Sequence, residues 1–273
     1  MFDGARPQPP AGPLAAEAAW KPTLRRAGVL LVLGLAWEGY GRWIDNDLVF
    51  PTLSATLAAF WRLTISGELP ARALASLEVL ALGYGAGLAL ATLLVLLAVA
   101  SRFGSELLAT LTAMFNPLPA IALLPLALLW FGLGTPSLVF VITHSVLWAV
   151  ALNAHAGVQA IPPTLRRVGE NLGLRGWRLT LRILLPAALP AVIAGLKIGW
   201  AFAWRTLIAA ELVFGTTSRS GGLGWFIFER RNNLQIDEVF AGLLAVIAIG
   251  LVVEGVVFRT IEARTIRRWG LQR

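Results

Sequence analysis

Apolar residues occur along the chain in long continuous stretches, and a polar or charged segment separates each stretch from the next. A helix needs about 20 apolar residues to cross a hydrocarbon core about 30 Å thick. Six stretches approach or exceed that length. They predict six transmembrane helices, at about residues 26–43, 76–100, 107–131, 138–158, 183–214 and 239–258.

The third stretch contains residues that an unbroken helix does not accommodate. Asn116 is followed by Pro117, Pro119 and Pro125, and a proline inside a helix removes a hydrogen bond. Backbone groups freed at membrane depth are tolerated only where protein or a water-filled cavity covers them. We therefore predict that these four residues line a translocation path, with a simple kink as the alternative. Residues 50–70, between the first two stretches, predict a short amphipathic helix on the surface.

Composition supports a membrane protein. The chain is 57% hydrophobic and 14% charged, with a mean hydropathy of +0.73, whereas about a quarter of a soluble domain is charged. There are no cysteines, which excludes disulfides, thiolate metal sites and cysteine nucleophiles. The net charge of +8 does not indicate nucleic-acid binding, because the chain has no long soluble basic face.

Lysine and arginine are distributed unequally over the polar segments. With the N-terminus inside, fifteen of the 23 fall on inner segments and six on outer ones, and Lys197 and Arg205 lie within the fifth span. The positive-inside rule then predicts that both termini are cytoplasmic. We expect residues 1–23 to form a flexible cytoplasmic tail, residues 24–268 the membrane domain and residues 269–273 a second tail.

The cytoplasmic loop at about residues 159–182 is both basic and apolar. Its polar turns cannot lie in lipid, yet Leu172, Leu174, Trp177, Leu179 and Leu181 are poorly placed in water. We interpret the loop as two short helices broken at Gly173, which can adopt a positive φ. Physical reasoning leaves two roles open: a helix anchored to anionic headgroups and a docking helix for the groove of a soluble protein.

A spacing pattern in this region resembles a known family. Gly173 is followed after nine residues by Ile183, Leu185 and Pro186, which is similar to the cytoplasmic "EAA" loop of ABC-importer permeases. Residues 116–134, 194–212 and 220–227 are similar to its nitrate/taurine/aliphatic-sulfonate branch, in the same order, over about residues 24–268. The resemblance implies an all-α, type I importer permease fold with about six transmembrane helices in the bacterial inner membrane.

The resemblance also implies partners. Two copies of a cytoplasmic ATP-binding cassette ATPase would dock on the loop, and a second permease copy would complete the path. A solute-binding protein would deliver a small anionic solute from outside. The loop departs from the family at Arg167, where the family has Glu, and at Glu170, where it often has Arg; an intrahelical pair would be preserved at this spacing. The docking residues implied are Arg167, Glu170, Leu172, Gly173, Leu174, Arg175, Trp177, Arg178, Ile183, Leu185 and Pro186.

The chain has no phosphate-binding loop of its own. Such a loop needs a lysine directly after a glycine, and the only lysines, Lys21 and Lys197, follow Trp20 and Leu196. We therefore expect a non-catalytic subunit that binds no cofactor, with ATP and Mg²⁺ held by the partner ATPase.

Three charges lie within the fifth span, where each costs about 2.5–3.5 kcal/mol on insertion scales. Lys197, Arg205 and Glu211 fall within a sector of about 120° on a helix, and we predict that they line the path. Three roles are open for Arg205: a structural pair with Glu211, snorkelling to the outer surface, or offering its planar fork to an anionic solute. Gly221, Gly222 and Gly224 follow the span and predict either a plain outer loop or a re-entrant outer gate.

Two other classes of function remain as alternatives. An intramembrane enzyme needs a metal cluster or an acid/base pair, but the only histidines, His144 and His155, have no acidic residue on their span. A secondary transporter driven by an ion gradient would usually show inverted hydropathy repeats, and the sequence shows none.

Overall fold

The computed structural model describes the backbone of residues 13–214 and 221–265 and the side chains of residues 24–213 and 221–265. In these ranges the protein is all-α, without a strand. A 3-10 turn at Ala120–Leu123 precedes α5, and π-helical turns lie at Thr180–Leu184 and Val253–Phe258. The helices are α1 Pro13–Ile44, α2 Leu53–Ile65, α3 Glu68–Ala100, α4 Arg102–Phe115, α5 Leu124–Phe131, α6 Thr135–Gln159, α7 Pro163–Asn171, α8 Trp177–Leu179, α9 Leu185–Phe214, α10 Leu223–Asn232, α11 Ile236–Val252 and α12 Arg259–Arg264.

Five of the six predicted spans have a counterpart that can cross a membrane. In the described residues, four continuous helices are long and apolar enough, at Glu68–Ala100, Thr135–Gln159, Trp177–Val213 and Ile236–Arg264. The third predicted span is a fifth candidate: α4 and the segment Ala120–Phe131 form a pair bent by 86°.

The first predicted span lies in α1, which is not among these candidates. Its C-terminal half carries Glu38 and Arg42, paired at 2.8 Å, and these charges lower its hydropathy. The apolar side chains from Val29 to Leu35 are largely exposed. The crossing predicted at about residues 26–43 therefore stays a prediction.

The predicted division into two tails and a membrane domain also stays a prediction. Residues 1–12 and 266–273 lie outside the described residues, and α1 begins at Pro13.

Helix α6 forms the centre of the bundle, packed between α3 and α9. In its apolar stretch 61% of the residues are buried, against 28% or less in the other three continuous candidates. Gly83 and Gly87 of α3 permit the close approach: a Cβ at Gly83 would lie 2.6 Å from the Ile142 side chain, and one at Gly87 2.7 Å from Val146. These small residues fix the distance between two helices that position the site.

Helix α10 lies in the segment that the sequence predicts to be a polar outer connection. Leu223, Phe226 and Ile227 are buried there, so one apolar face packs against α9 and α11. Ion pairs hold its other end: Arg230 binds Glu68 of α3 at 2.5 Å and Glu238 of α11 at 3.1 Å. The connection is therefore a packed element of the bundle.

Candidate functional site

The break in the third span opens a cavity of about 380 Å³ between the start of the break, α6 and α9. The predicted path residues Asn116, Pro117 and Pro119 line it. Pro125 does not, because it lies in the first turn of α5. We call this space the Arg205 cavity; its wall also includes Leu118, Ala120, Ile121, His144, Ser145, Trp148, Phe202, Arg205, Thr206 and Ala209.

Arg205 is the charged residue of this wall. Its Nε donates to the carbonyl of Ala201 at 2.9 Å, and its guanidinium lies over the Phe202 ring, 5.2 Å from the centroid. Within the described residues no carboxylate lies within 4.0 Å of the guanidinium. The predicted alternative of a structural pair with Glu211 is therefore wrong, and the terminal nitrogens have no protein partner in that part of the chain.

Glu211 lies elsewhere and is 2% exposed. Ser76 Oγ lies 2.9 and 3.0 Å from its two carboxylate oxygens, and the Gly224 N–H donates to it at 2.9 Å. Ser76 Oγ in turn accepts from the Leu223 N–H at 2.9 Å. Two of the free N–H groups at the start of α10 thus find acceptors on α3 and α9, and the negative charge lies at the positive end of the α10 dipole. Glu211 does not line the Arg205 cavity, so the predicted path role is not supported by its position.

Two of the three predicted gate glycines, Gly222 and Gly224, lie directly against this carboxylate. Gly221 has φ +65°, a conformation that favours glycine. A Cβ at Gly222 would lie 2.1 Å from Glu211 Oε1 and 2.3 Å from Ser76 Oγ, and one at Gly224 2.6 Å from the Glu211 Cβ. Glycine is needed because the backbone must reach the buried charge. Residues 215–220, before these glycines, lie outside the described part of the chain.

Lys197, the third charge of the fifth span, forms an ion pair with Glu262 of α12 at 3.0 Å. It also lines a second cavity of about 220 Å³ together with Arg205, Trp200, Trp204 and Glu254. Arg205 therefore lies between two cavities, whereas Lys197 reaches only the smaller one. The three charges do not line a single path together.

Sequence reasoning missed the α6 side of the Arg205 cavity. The Nδ1 and Nε2 atoms of His144 and the Nε1 atom of Trp148 are buried without a hydrogen-bond partner. Trp148 stacks on Phe115 at 5.5 Å. His144 was considered only as half of a histidine pair, but His155 contacts Ser105 and Gln159 instead. The available signal was the order His144, Ser145, Trp148, which places all three within about one helical turn.

The predicted docking loop contains the two helical pieces expected, α7 and α8, broken at Gly173. Gly173 has φ +75°. Its N–H donates to the carbonyl of Glu170 at 2.9 Å, and the Leu174 N–H donates to that of Gly169 at 3.0 Å. These two bonds form a Schellman motif, in which a left-handed residue ends a helix.

The exposed apolar surface of the loop is narrower than predicted. Leu172 and Trp177 are 71% and 68% exposed, and Leu181 is exposed as well. Leu174 and Leu179, in contrast, pack in a small apolar cluster with Val158, Leu184 and Ala188.

The remaining docking residues surround this surface. Arg175 and Arg178 are exposed, and Arg178 lies 5.8 Å from the Trp177 ring centroid. Leu185 is exposed, while Ile183 and Pro186 are half-buried. Arg167 and Glu170 are both exposed and form no ion pair in the described residues, so the predicted intrahelical pair is wrong.

In residues 24–213 and 221–265 no group of three His, Asp or Glu side chains is placed to hold a metal ion.

Comparison of the sequence with known proteins matches a family model and several relatives. The model described as "Binding-protein-dependent transport system inner membrane component" matches residues 83–267. The chain is 31% identical over 208 residues to the putative aliphatic sulfonates transport permease protein SsuC of Escherichia coli, covering 76% of this chain and 77% of that protein. It is 29% identical over 222 residues to a putative ABC transporter permease protein of Methanocaldococcus jannaschii, covering 80% and 82%. It is 32% identical over 180 residues to the nitrate import permease protein NrtB of Synechocystis sp., covering 66% and 64%.

Proposed function

The chain belongs to the binding-protein-dependent transport system inner membrane components, the permease subunits of ABC importers, and from this premise we propose that its solute is a small anion. As a permease it is a multi-pass membrane protein without catalytic activity of its own, and an ATPase and a solute-binding protein are its partners. The observation that carries the proposal is the position of Arg205, which faces the Arg205 cavity without a carboxylate partner in the described residues.

Electrostatics supports a negative solute. An unpaired guanidinium inside a membrane span is unfavourable unless an anion or water meets it, and its planar fork matches sulfonate, nitrate and carboxylate groups. Two of the relatives named above transport aliphatic sulfonates and nitrate according to their names. The same charge would repel a cationic solute on this path.

We assign the coupling of ATP hydrolysis to the loop of α7 and α8. Leu172 and Trp177 present an apolar surface ringed by Arg175 and Arg178, which fits a groove on a soluble partner. In this assignment ATP and Mg²⁺ are bound by two copies of the ATPase, both termini of the permease lie in the cytoplasm, and a second copy of the chain completes the path.

Transport by the assembled importer tests the substrate proposal. The permease is reconstituted in vesicles with its ATPase and binding protein, and uptake is compared for an alkyl sulfonate and for the alcohol of the same carbon chain. We expect ATP-dependent uptake of the anion, with nitrate and carboxylates as competitors. Uptake of the neutral compound instead would contradict the proposal.

Substitutions in the loop test the docking assignment separately. Leu172→Asp should reduce ATPase co-purification strongly, because it places a charge on the apolar surface. The matched control is Asn171→Asp, which adds the same charge one residue earlier without removing an apolar contact. If both variants bind the ATPase equally well, the docking assignment is contradicted and the loop is better explained as a lipid anchor.

Cysteine labelling tests the orientation, since the natural chain has no cysteine to interfere. Arg178→Cys should react with a membrane-impermeant reagent only from the cytoplasmic side. Leu48→Cys, in the exposed connection between α1 and α2, should react only from outside. Labelling of position 178 from outside would overturn both the orientation and the docking assignment.

A further inference from the structure

The Arg205 cavity combines a single cationic side chain with uncharged polar groups. None of its lining residues is Asp or Glu. Asn116 contributes an amide, Ser145 and Thr206 contribute hydroxyls, and Arg205 contributes two terminal nitrogens that no carboxylate in the described residues engages. A wall of this composition attracts negative charge and has no group that repels it.

Two aromatic residues of the same wall have unused hydrogen-bonding atoms. The ring nitrogens of His144 and the Nε1 of Trp148 are buried without a partner, although buried polar atoms are nearly always bonded. An indole N–H only donates, and a neutral imidazole donates from one of its two nitrogens. At least two neutral donors therefore lie buried behind the wall.

Packing holds the cation in a defined place. The Arg205 Nε donates to the Ala201 carbonyl at 2.9 Å, and the guanidinium carbon lies over the Phe202 ring, 5.2 Å from its centroid. Because arginine stacks on aromatic faces and keeps its donors in one plane, the terminal nitrogens remain available together for a planar or trigonal anionic group.

We propose that the Arg205 cavity is an anion-binding station inside the permease itself. Arg205 binds the anionic group, and Asn116, Ser145 and Thr206 provide uncharged polar groups around it, so that the permease selects for charge a second time after the binding protein has released the solute. This inference rests on the proposed function, because it places a site for the anion on its path. The volume of about 380 Å³ lies at the small end of ligand pockets, which fits solutes the size of nitrate or a short sulfonate.

Reaction rates of a cysteine in the cavity test the station directly. Ser145→Cys is introduced into the cysteine-free chain, and the complex with its ATPase is reacted with an anionic and a cationic methanethiosulfonate of similar size. The ratio of the two rates should be about tenfold higher with Arg205 than with Arg205→Gln, because a nearby cation concentrates the anionic reagent. Arg205→Lys should retain most of the ratio, since it keeps the charge.

Methanesulfonate, added at constant ionic strength, should slow the anionic reagent in the Arg205 protein and have no effect in Arg205→Gln. The control is Leu48→Cys, where the ratio should not depend on residue 205. The same comparison at Thr206→Cys gives a second readout should Ser145→Cys fail to assemble. The anion-binding station would be contradicted if the ratio of the two reagent rates were the same with Arg205 and Arg205→Gln. It would also be contradicted if methanesulfonate had no effect on the Arg205 protein.

This assay uses neither ATP, nor binding protein, nor uptake, so its outcome is separate from the transport test. A chain that imports only the neutral alcohol would contradict the proposed function even with the predicted rate ratio. If the protein imports sulfonate but the ratio of reagent rates is the same with Arg205 and Arg205→Gln, the proposed function stands and the anion-binding station is contradicted.

Discussion

Arg205 and Glu211 lie six residues apart on α9 and carry opposite charges, yet the protein accommodates them in different ways. Glu211 is 2% exposed and is bonded to Ser76 and to the backbone of Gly224. Arg205 is exposed and lines a cavity. Six residues separate the two positions by about 9 Å along the helix and about 120° around it, so each charge meets a different neighbour.

The comparison shows two ways of placing a charge in a membrane helix. Glu211 is compensated by neutral donors and by the dipole of α10, and its role is to join three helices. Arg205 is compensated in part by the Ala201 carbonyl and the Phe202 ring, but no carboxylate of the described residues pairs with it, and its charge is available to a solute. A charge inside a span is therefore a functional candidate only after its hydrogen bonds have been traced, and the following substitutions test that distinction.

The largest effect is expected from Glu211→Leu. It leaves the Gly224 N–H and the Ser76 hydroxyl buried without this acceptor, at a cost of about 3 kcal/mol. We expect a clear fall in the thermal stability and yield of the purified complex, measured by fluorescence-detected gel filtration after heating. Adding Arg205→Leu should not restore stability, because the two residues are not partners. Rescue by the double variant would show that they form a pair in the membrane.

Gly222→Ala should destabilise by about 2 kcal/mol, the range of overpacked sites. Its Cβ would meet Glu211 Oε1 and Ser76 Oγ, and all three groups belong to the connection between α3, α9 and α10. The matched control is Gly85→Ala, whose Cβ would have nothing within 4 Å and should leave the melting temperature unchanged. Equal melting temperatures for the two variants would indicate that Gly222 is not packed closely against Glu211 and Ser76.

Arg205→Leu should leave stability unchanged and lower anion uptake per assembled complex about tenfold, which corresponds to about 1.4 kcal/mol. Arg205→Lys should recover only part of the activity, because a point charge replaces a planar fork. Uptake is normalised to the amount of complex that contains ATPase. Normal uptake by Arg205→Leu would show that the charge of Arg205 is not used by the solute.

The smallest effect is expected from Lys197→Met. Its ion pair with Glu262 is about one-third exposed on both sides, and such pairs contribute less than about 1 kcal/mol. A shift of the melting temperature of a few degrees at most should accompany near-normal uptake. A large loss of uptake would extend the path from Arg205 into the smaller cavity that Lys197 lines.

Much of the architecture could be predicted because it depends on local chemistry. Prolines without an N–H at positions 117 and 119 require a break, and the chain bends there by 86°. Gly173 was expected to end a helix because glycine adopts positive φ without strain, and it does so at +75°.

The parts that were missed depend on tertiary contacts. Glu211 pointed to a charged partner, but its partners are a serine 135 residues away and a backbone N–H, which carry no sequence signal for pairing. Helix α10 was hidden by its polar and glycine-rich surroundings, although Leu223, Phe226 and Ile227 show helical spacing. Arg167 and Glu170 have favourable spacing but remain apart, because two exposed side chains gain little from pairing.

The π-helical turn at Thr180–Leu184 joins α8 to α9, whose second residue is Pro186. Pro186 has no N–H for the carbonyl of Arg182, so the regular bonding pattern is interrupted at this point. A π turn accommodates one extra residue within an α-helix, and each residue of an α-helix corresponds to a rotation of about 100°.

The extra residue of the π turn thus sets the rotation about the helix axis between side chains that precede the turn and side chains that follow it. Because Trp177 lies before the turn and Arg205 after it, removing the extra residue would swing the indole by about 100° around the helix axis relative to the guanidinium. The π turn consequently sets the rotation between the surface that carries Trp177 and the side chain of Arg205.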